Sequence, residues 1–113
     1  MMIRGAIYYK DYNLAQEQLE AIIKGYTVFG ETEVTTRSKE QVTFSNGDHW
    51  RLISANFPSR GYRFHIAYIE RSISEEIFYT VIKPCLACHP FSAFDFFGKG
   101  DLQVTDKYIP LPF

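Results

Sequence analysis

The sequence predicts one small mixed domain, α+β or α/β in class: a mostly antiparallel twisted sheet of about five strands with two amphipathic helices packed on it. Three observations predict it. Two stretches carry apolar residues at helical spacing, the stretch between them alternates with a period of two, and a β-rich run precedes both. The 113 residues fit one domain spanning positions 1–113. A chain of that length buries roughly two-thirds of the surface its unfolded form exposes, so it can build a core without disulfides or metal.

Ile3 to Tyr9 is the first strand, rich in β-branched and aromatic side chains. Asn13 then opens a helix with Gln16 as its capping-box partner, and Gly25 supplies the stop. Ala15, Leu19, Ile22 and Ile23 share its inner face. Val34 to Arg37, Gln41 to Phe44 and His49 to Ser54 read as an antiparallel meander. Ser45-Asn46-Gly47-Asp48 is a hairpin signal, because Asn and Gly tolerate the left-handed backbone of tight turns. A two-residue loop would set Val42 and Phe44 opposite Arg51 and His49. A three-residue loop with a bulge, setting them opposite Leu52 and Trp50, keeps one face apolar and is preferred.

Phe64 to Ile69 is apolar at almost every position, as expected of a central strand covered on both faces. A second helix runs from about Ile73 to Lys83, capped by Ser72 with Glu75 three residues on. Ile73, Ile77 and Val81 form its inner face, and Pro84 marks its end. Residues 85–113 form an aromatic, Pro/Gly-rich C-terminal segment of the same domain, with Leu102 to Thr105 as a short strand candidate.

Composition narrows the function. A net charge of −1 gives no global field for nucleic acid or an anionic membrane, so anion binding must come from locally placed arginines. No apolar run approaches the roughly 18 residues of a membrane span. The N-terminus reads as a strand and not as a signal peptide, so a cytoplasmic location is expected, the host cytoplasm for a phage-encoded chain. Aromatics reach 17 %, and Phe91, Phe94, Phe96 and Phe97 cluster outside the clear elements. They are either a second layer of core or an interaction surface for a partner protein.

Cys85-Leu86-Ala87-Cys88-His89 matches the Cys-x-x-Cys-His pattern of covalent haem attachment. Haem attachment needs export, and the only methionines are Met1 and Met2, so His49 or His65 would have to be the distal ligand. Zinc would need a fourth ligand from a distant His or a second copy. Redox work would place the pair at a helix N-terminus, whereas it follows a helix end. The bland alternative is two thiols in a turn, and no metal or cofactor is expected. The first strand leads into Lys10-Asp11-Tyr12-Asn13 with no Gly-rich phosphate loop, and Gly-x-Ser-x-Gly and His-Glu-x-x-His are also absent. The chain is therefore expected not to be an enzyme.

Ser59-Arg60-Gly61-Tyr62-Arg63 leads into the apolar strand that ends at Glu70. The guanidiniums of Arg60 and Arg63 match phosphate oxygens, and Tyr62 can stack on a base. Glu70 stands at the carboxyl end of the strand, where α/β sheets gather ligands. These four are the candidate ligand-binding residues. The same arginines could equally pair with Glu70, Glu75 or Glu76 on the surface.

Asn46-Gly47-Asp48-His49-Trp50-Arg51-Leu52-Ile53-Ser54-Ala55, then the Arg60-Gly61 element, then the strand ending in Glu70, resemble part of a large-terminase ATPase across residues 42–86. Those phage DNA-packaging motors carry an Arg-Gly element before a Walker B strand that ends in paired acids. Here the strand ends Glu70-Arg71 and the Walker A loop is missing, so the resemblance implies a phage-type half-sheet without hydrolysis. In size and make-up the chain is also similar to the phage sponges that sequester Thoeris-type nucleotide signals. The expected function is a non-catalytic phage or prophage accessory protein, oligomeric, binding a small anionic nucleotide ligand. The alternatives are a module that inhibits a host protein through its aromatic segment, and a metal-stabilised accessory protein.

Overall fold

The strand Arg4–Tyr9 (β1) buries Ala6, Ile7 and Tyr8 completely, and the rest of the chain is arranged on either side of it. A computed structural model of the chain describes residues 2–56, 63–86 and 93–102. After β1 come a helix Tyr12–Lys24 (α1) continued by a π-helical turn Gly25–Phe29, then Val34–Arg37 (β2), Gln41–Phe44 (β3), His49–Ser54 (β4) and Ile66–Glu70 (β5). A second helical run follows, made of Glu75–Ile77 (α2), a π-helical turn Phe78–Ile82 and Lys83–Cys85 (α3). Ala93–Phe97 (β6) closes the described chain.

The six strands among the described residues form one sheet in the order β2-β3-β4-β1-β5-β6. It is mixed, where the sequence predicted a mostly antiparallel sheet of about five strands. β4, β1, β5 and β6 run parallel, and only β2 and β3 are antiparallel to their neighbours. Tight turns announce the antiparallel meander, but parallel pairs are made by long crossovers that leave no local turn signal. The added strand is β6, which contains Phe94, Phe96 and Phe97 of the aromatic segment. Leu102 is not in a strand, and residues 103–105 lie outside the described residues.

Two cores result, one on each face. Under α1 lie Ile7, Leu19, Val42, Phe44, Trp50 and Leu52. On the other face lie Tyr8, Ile53, Ile69, Phe78, Ile82 and Leu86 beneath the second helical run. This is the α/β/α layering expected when parallel strands are covered on both sides.

Local details depart from the sequence in instructive ways. The N-cap of α1 is Asp11, two residues before the predicted Asn13. Its carboxylate accepts from the backbone N–H of Asn13 (2.9 Å) and Leu14 (3.4 Å). Gln16 instead donates to the Tyr12 hydroxyl and the Lys39 carbonyl. Gly25 does not stop the helix: it keeps a helical φ of −59°, and the chain widens into the π-helical turn before ending at Gly30. Asp11→Ala should cost about 1 kcal/mol in urea unfolding and Asn13→Ala almost nothing, the reverse of the sequence-based assignment.

The β3–β4 loop has three residues, as predicted, with Gly47 at φ 94°. Its pairing is displaced by two residues from the expected register, Val42 facing Trp50 and Phe44 closing on Asp48 through N–H···O (2.9 Å). A shift of two leaves every side chain on its predicted face, so Val42, Phe44, Trp50 and Leu52 still share one core. In the second helical run the cap is Ser74, which accepts from the Ile77 N–H; Ser72 hydrogen-bonds to Glu70 instead. The π-helical turn rotates the inner face, burying Ile73, Phe78 and Ile82 more deeply than Ile77 and Val81.

Candidate functional site

The carboxyl end of the parallel strands holds one predicted site residue, Glu70. It ends β5 and is 3 % exposed. Its Oε1 accepts from the backbone N–H of Lys10 (3.0 Å) and Asp11 (2.8 Å), and Ser72 Oγ donates to Oε2. Gly98, at φ 74°, passes close to the Glu70 Cγ. The donors of the β1–α1 junction, where a helix N-terminus favours an anion, therefore meet the protein's own carboxylate. Asp11, capping the same helix, adds a second internal acid.

A recess of about 580 Å³ between β5 and α2 is lined by Arg71, Ser72, Ser74 and Glu75 together with Asp101. Arg71 serves the fold: its guanidinium lies 5.8 Å from the Phe96 ring centroid and Nη1 donates to the Gly98 carbonyl (3.3 Å).

Arg60 and Tyr62 lie outside the described residues, as do Phe91, Cys88 and His89. Arg63 is exposed and stands three residues before β5, at the opposite end of that strand from Glu70. Seven extended residues span roughly 20 Å, so Arg63 and Glu70 do not share a site. What the fold brings together is Arg63's end of the sheet with the starts of β1 and β4. Arg4 and His49 are register partners, and the Arg4 N–H donates to His65 Nδ1 (3.0 Å). By strand alternation Arg4, His49, Arg51 and His65 lie on the face that carries the second helical run. His49 Nδ1 lies 2.8 Å from Thr43 Oγ1. Burial, with the neighbouring Arg51 and Arg4 charges, pushes the His49 imidazole below its ordinary 6.5. Sequence reading missed this cluster because its members come from β1, β4 and the residue just before β5, which parallel pairing brings side by side.

The aromatic segment divides between the two cores. Phe97 is buried on the α1 side, and Phe94 and Phe96 are half-buried against Phe78 on the other. Among the described residues β6 lies at the edge of the sheet. Cys85 is buried, and its Sγ donates to the Val81 carbonyl (3.3 Å). Among the described residues no three His, Cys, Asp or Glu side chains gather as metal ligands, and no helix is long and apolar enough to cross a membrane.

No protein-family model and no curated protein matches the sequence. Among solved structures, the fold is similar to the large terminase ATPase domain of a Thermus phage, in an arginine-to-alanine mutant. The TM-score is 0.60 at 17 % identity, over 83 % of this chain and 47 % of that one. The likeness is one of fold. This chain spans about half the length of that domain.

Proposed function

We propose that the chain is a non-catalytic binding protein on an ATPase-like half-sheet, taking a small phosphorylated nucleotide-type ligand at its strand-start basic face. The observation that carries this reading is the convergence of Arg4, His49 and Arg51, with His49 held below its usual range by burial and by two guanidiniums. Like charges gathered at one spot favour an anionic guest. Arg63, three residues before β5, stands at the same end of the sheet, so a further phosphate contact can come from it. The non-catalytic half of the proposal is supported by the β1–α1 junction, whose donors are already taken by the protein's own acids: Lys10 and Asp11 N–H by Glu70, Asn13 and Leu14 N–H by Asp11. Kinship of fold with a phage terminase domain supports a phage or prophage accessory role. Sequestration of a host nucleotide signal by an oligomer is the finer form of that role. A second reading, inhibition of a host protein, is favoured by the edge position of β6 and its half-buried Phe94 and Phe96.

Calorimetry and thermal shift with pyrophosphate, ADP-ribose and cyclic dinucleotides test the first reading, with phosphate release from ATP followed in parallel. Saturable binding without turnover is expected; flat titrations across all three remove it. The pH dependence has a definite sign. His49's folded value lies below its unfolded 6.5, so the unfolded chain takes up protons first as pH falls. Stability from this group is complete above pH 6.5 and is lost as pH falls through the folded value. Tm should therefore drop on acidification in the free protein, and His49→Asn should flatten that drop. A bound polyanion favours the charged imidazole, so pyrophosphate should bind more tightly as pH falls through the same window.

A further inference from the structure

On the α1 side of the sheet, away from the basic face, a groove of about 560 Å³ opens between the helix and the strands. Its size lies in the range of small-molecule sites, roughly 300–1,000 Å³. Trp50 and Tyr68 make its floor, ring centroids 5.7 Å apart with planes inclined by 30°. The indole can lie over β1 because Gly5 has no side chain there; a Cβ at that position would collide with the ring. Tyr26 forms a wall, stacked on Phe44 at 4.0 Å and 7°.

The polar tips of Trp50 and Tyr26 are turned inward. Trp50 Nε1–H donates to the Tyr26 hydroxyl (3.1 Å), which donates to Asp48 Oδ2 (2.7 Å). Asp48 Oδ1 also accepts from the Ile3 N–H (2.8 Å), which fixes the relay to β1's start. Burial, first, and the Asp48 carboxylate push the Tyr26 hydroxyl up to about 12, so it stays neutral. The half-buried Tyr26 and Tyr68 rings thus face the groove beside a Trp50 that is itself only 3 % exposed, while Gln18 and Asn46 supply amides at the rim. No carboxylate, ammonium or guanidinium is among its described lining residues.

We infer that this groove binds an uncharged planar heteroaromatic of the nucleobase class, stacked on the half-buried Tyr68 ring next to Trp50, with its polar edge read by Gln18 and Asn46. Stacking tolerates any π-face, and a side-chain amide offers the paired donor and acceptor that base edges present. The Asn46 carbonyl already accepts from the Asp48 N–H (2.9 Å), which leaves its NH₂ end as the donor. The site is separate from the basic face and does not depend on it.

The protein has one tryptophan, Trp50, so its fluorescence reports the groove directly. Gly25 provides the variant. It lines the groove, its backbone is helical, and a Cβ there meets nothing within 4 Å. Adenosine and cytidine should quench Trp50 saturably in the wild type and in Gly25→Ala, and ribose should not. Gly25→Phe fills the groove and should weaken nucleoside binding by about tenfold or more. Gly25→Met serves the same purpose should the phenylalanine variant fail to fold by circular dichroism. Saturable quenching by neither nucleoside, or a folded Gly25→Phe or Gly25→Met that binds like the wild type, would overturn the inference. Both nucleosides lack phosphate, so failure of the basic-face reading would not alter this result, nor the reverse.

Discussion

Gly5→Ala is expected to destabilise the protein by about 3 kcal/mol, the upper part of the range for overpacking a core. Gly5 sits in β1 between Trp50 of β4 and Ile66 of β5, at the centre of the sheet. A methyl group there would enter the Trp50 indole, which is 3 % exposed and held through Nε1 by Tyr26. The ring cannot step aside without breaking the Tyr26–Asp48 relay. Urea unfolding at neutral pH checks the magnitude. The cause is checked by a double-mutant cycle: with Trp50→Leu already in place, adding Gly5→Ala should cost less than half as much. Equal costs in both backgrounds would show that the clash lies elsewhere.

That glycine also shows where sequence reading stops. Trp50 and Gly5 were each assigned to strands from local pattern alone, and both assignments hold. Their meeting depends on β4 docking parallel beside β1, across 39 intervening residues that contain a helix and two strands. Hairpin chemistry reaches only as far as the next turn, so the limits of β2, β3 and β4 were legible and their docking was not. Helix caps failed for a related reason. Asn13 and Ser72 satisfy the capping pattern as well as Asp11 and Ser74 do, and tertiary partners decide between them: Ser72 is drawn to Glu70.

The candidate site was legible in the same proportion. Arg63 and Glu70 were rightly placed before and at the end of one strand, but the strand's length keeps them apart. Arg4, His49 and Arg51 carry no motif, because a cluster made by parallel register has no spacing in the chain. The groove aromatics were hidden likewise: Tyr26 reads as a residue past the helix stop, and only the continuation into a π-helical turn swings it over Phe44.

Glu70→Ala should be the other severe substitution, costing about 3 kcal/mol, because it strips acceptors from two backbone N–H groups and the Ser72 hydroxyl at once. Glu70→Gln keeps a carbonyl for the Lys10 and Asp11 donors and should cost about 1 kcal/mol. The decisive measurement is the salt response. With the carboxylate gone, the Lys10 and Asp11 N–H groups just before α1 lose their acceptor and can take an anion instead. Sulfate or phosphate should then raise the Tm of Glu70→Ala by more than it raises that of the wild type or of Glu70→Gln, with chloride at matched ionic strength as the control. Such selective rescue would mean that the fold retains a phosphate position and fills it from within, as the proposed reading expects. Equal responses in all three proteins would mean that Glu70 merely braces the junction, and the link between its burial and a silenced nucleotide site would have to be given up.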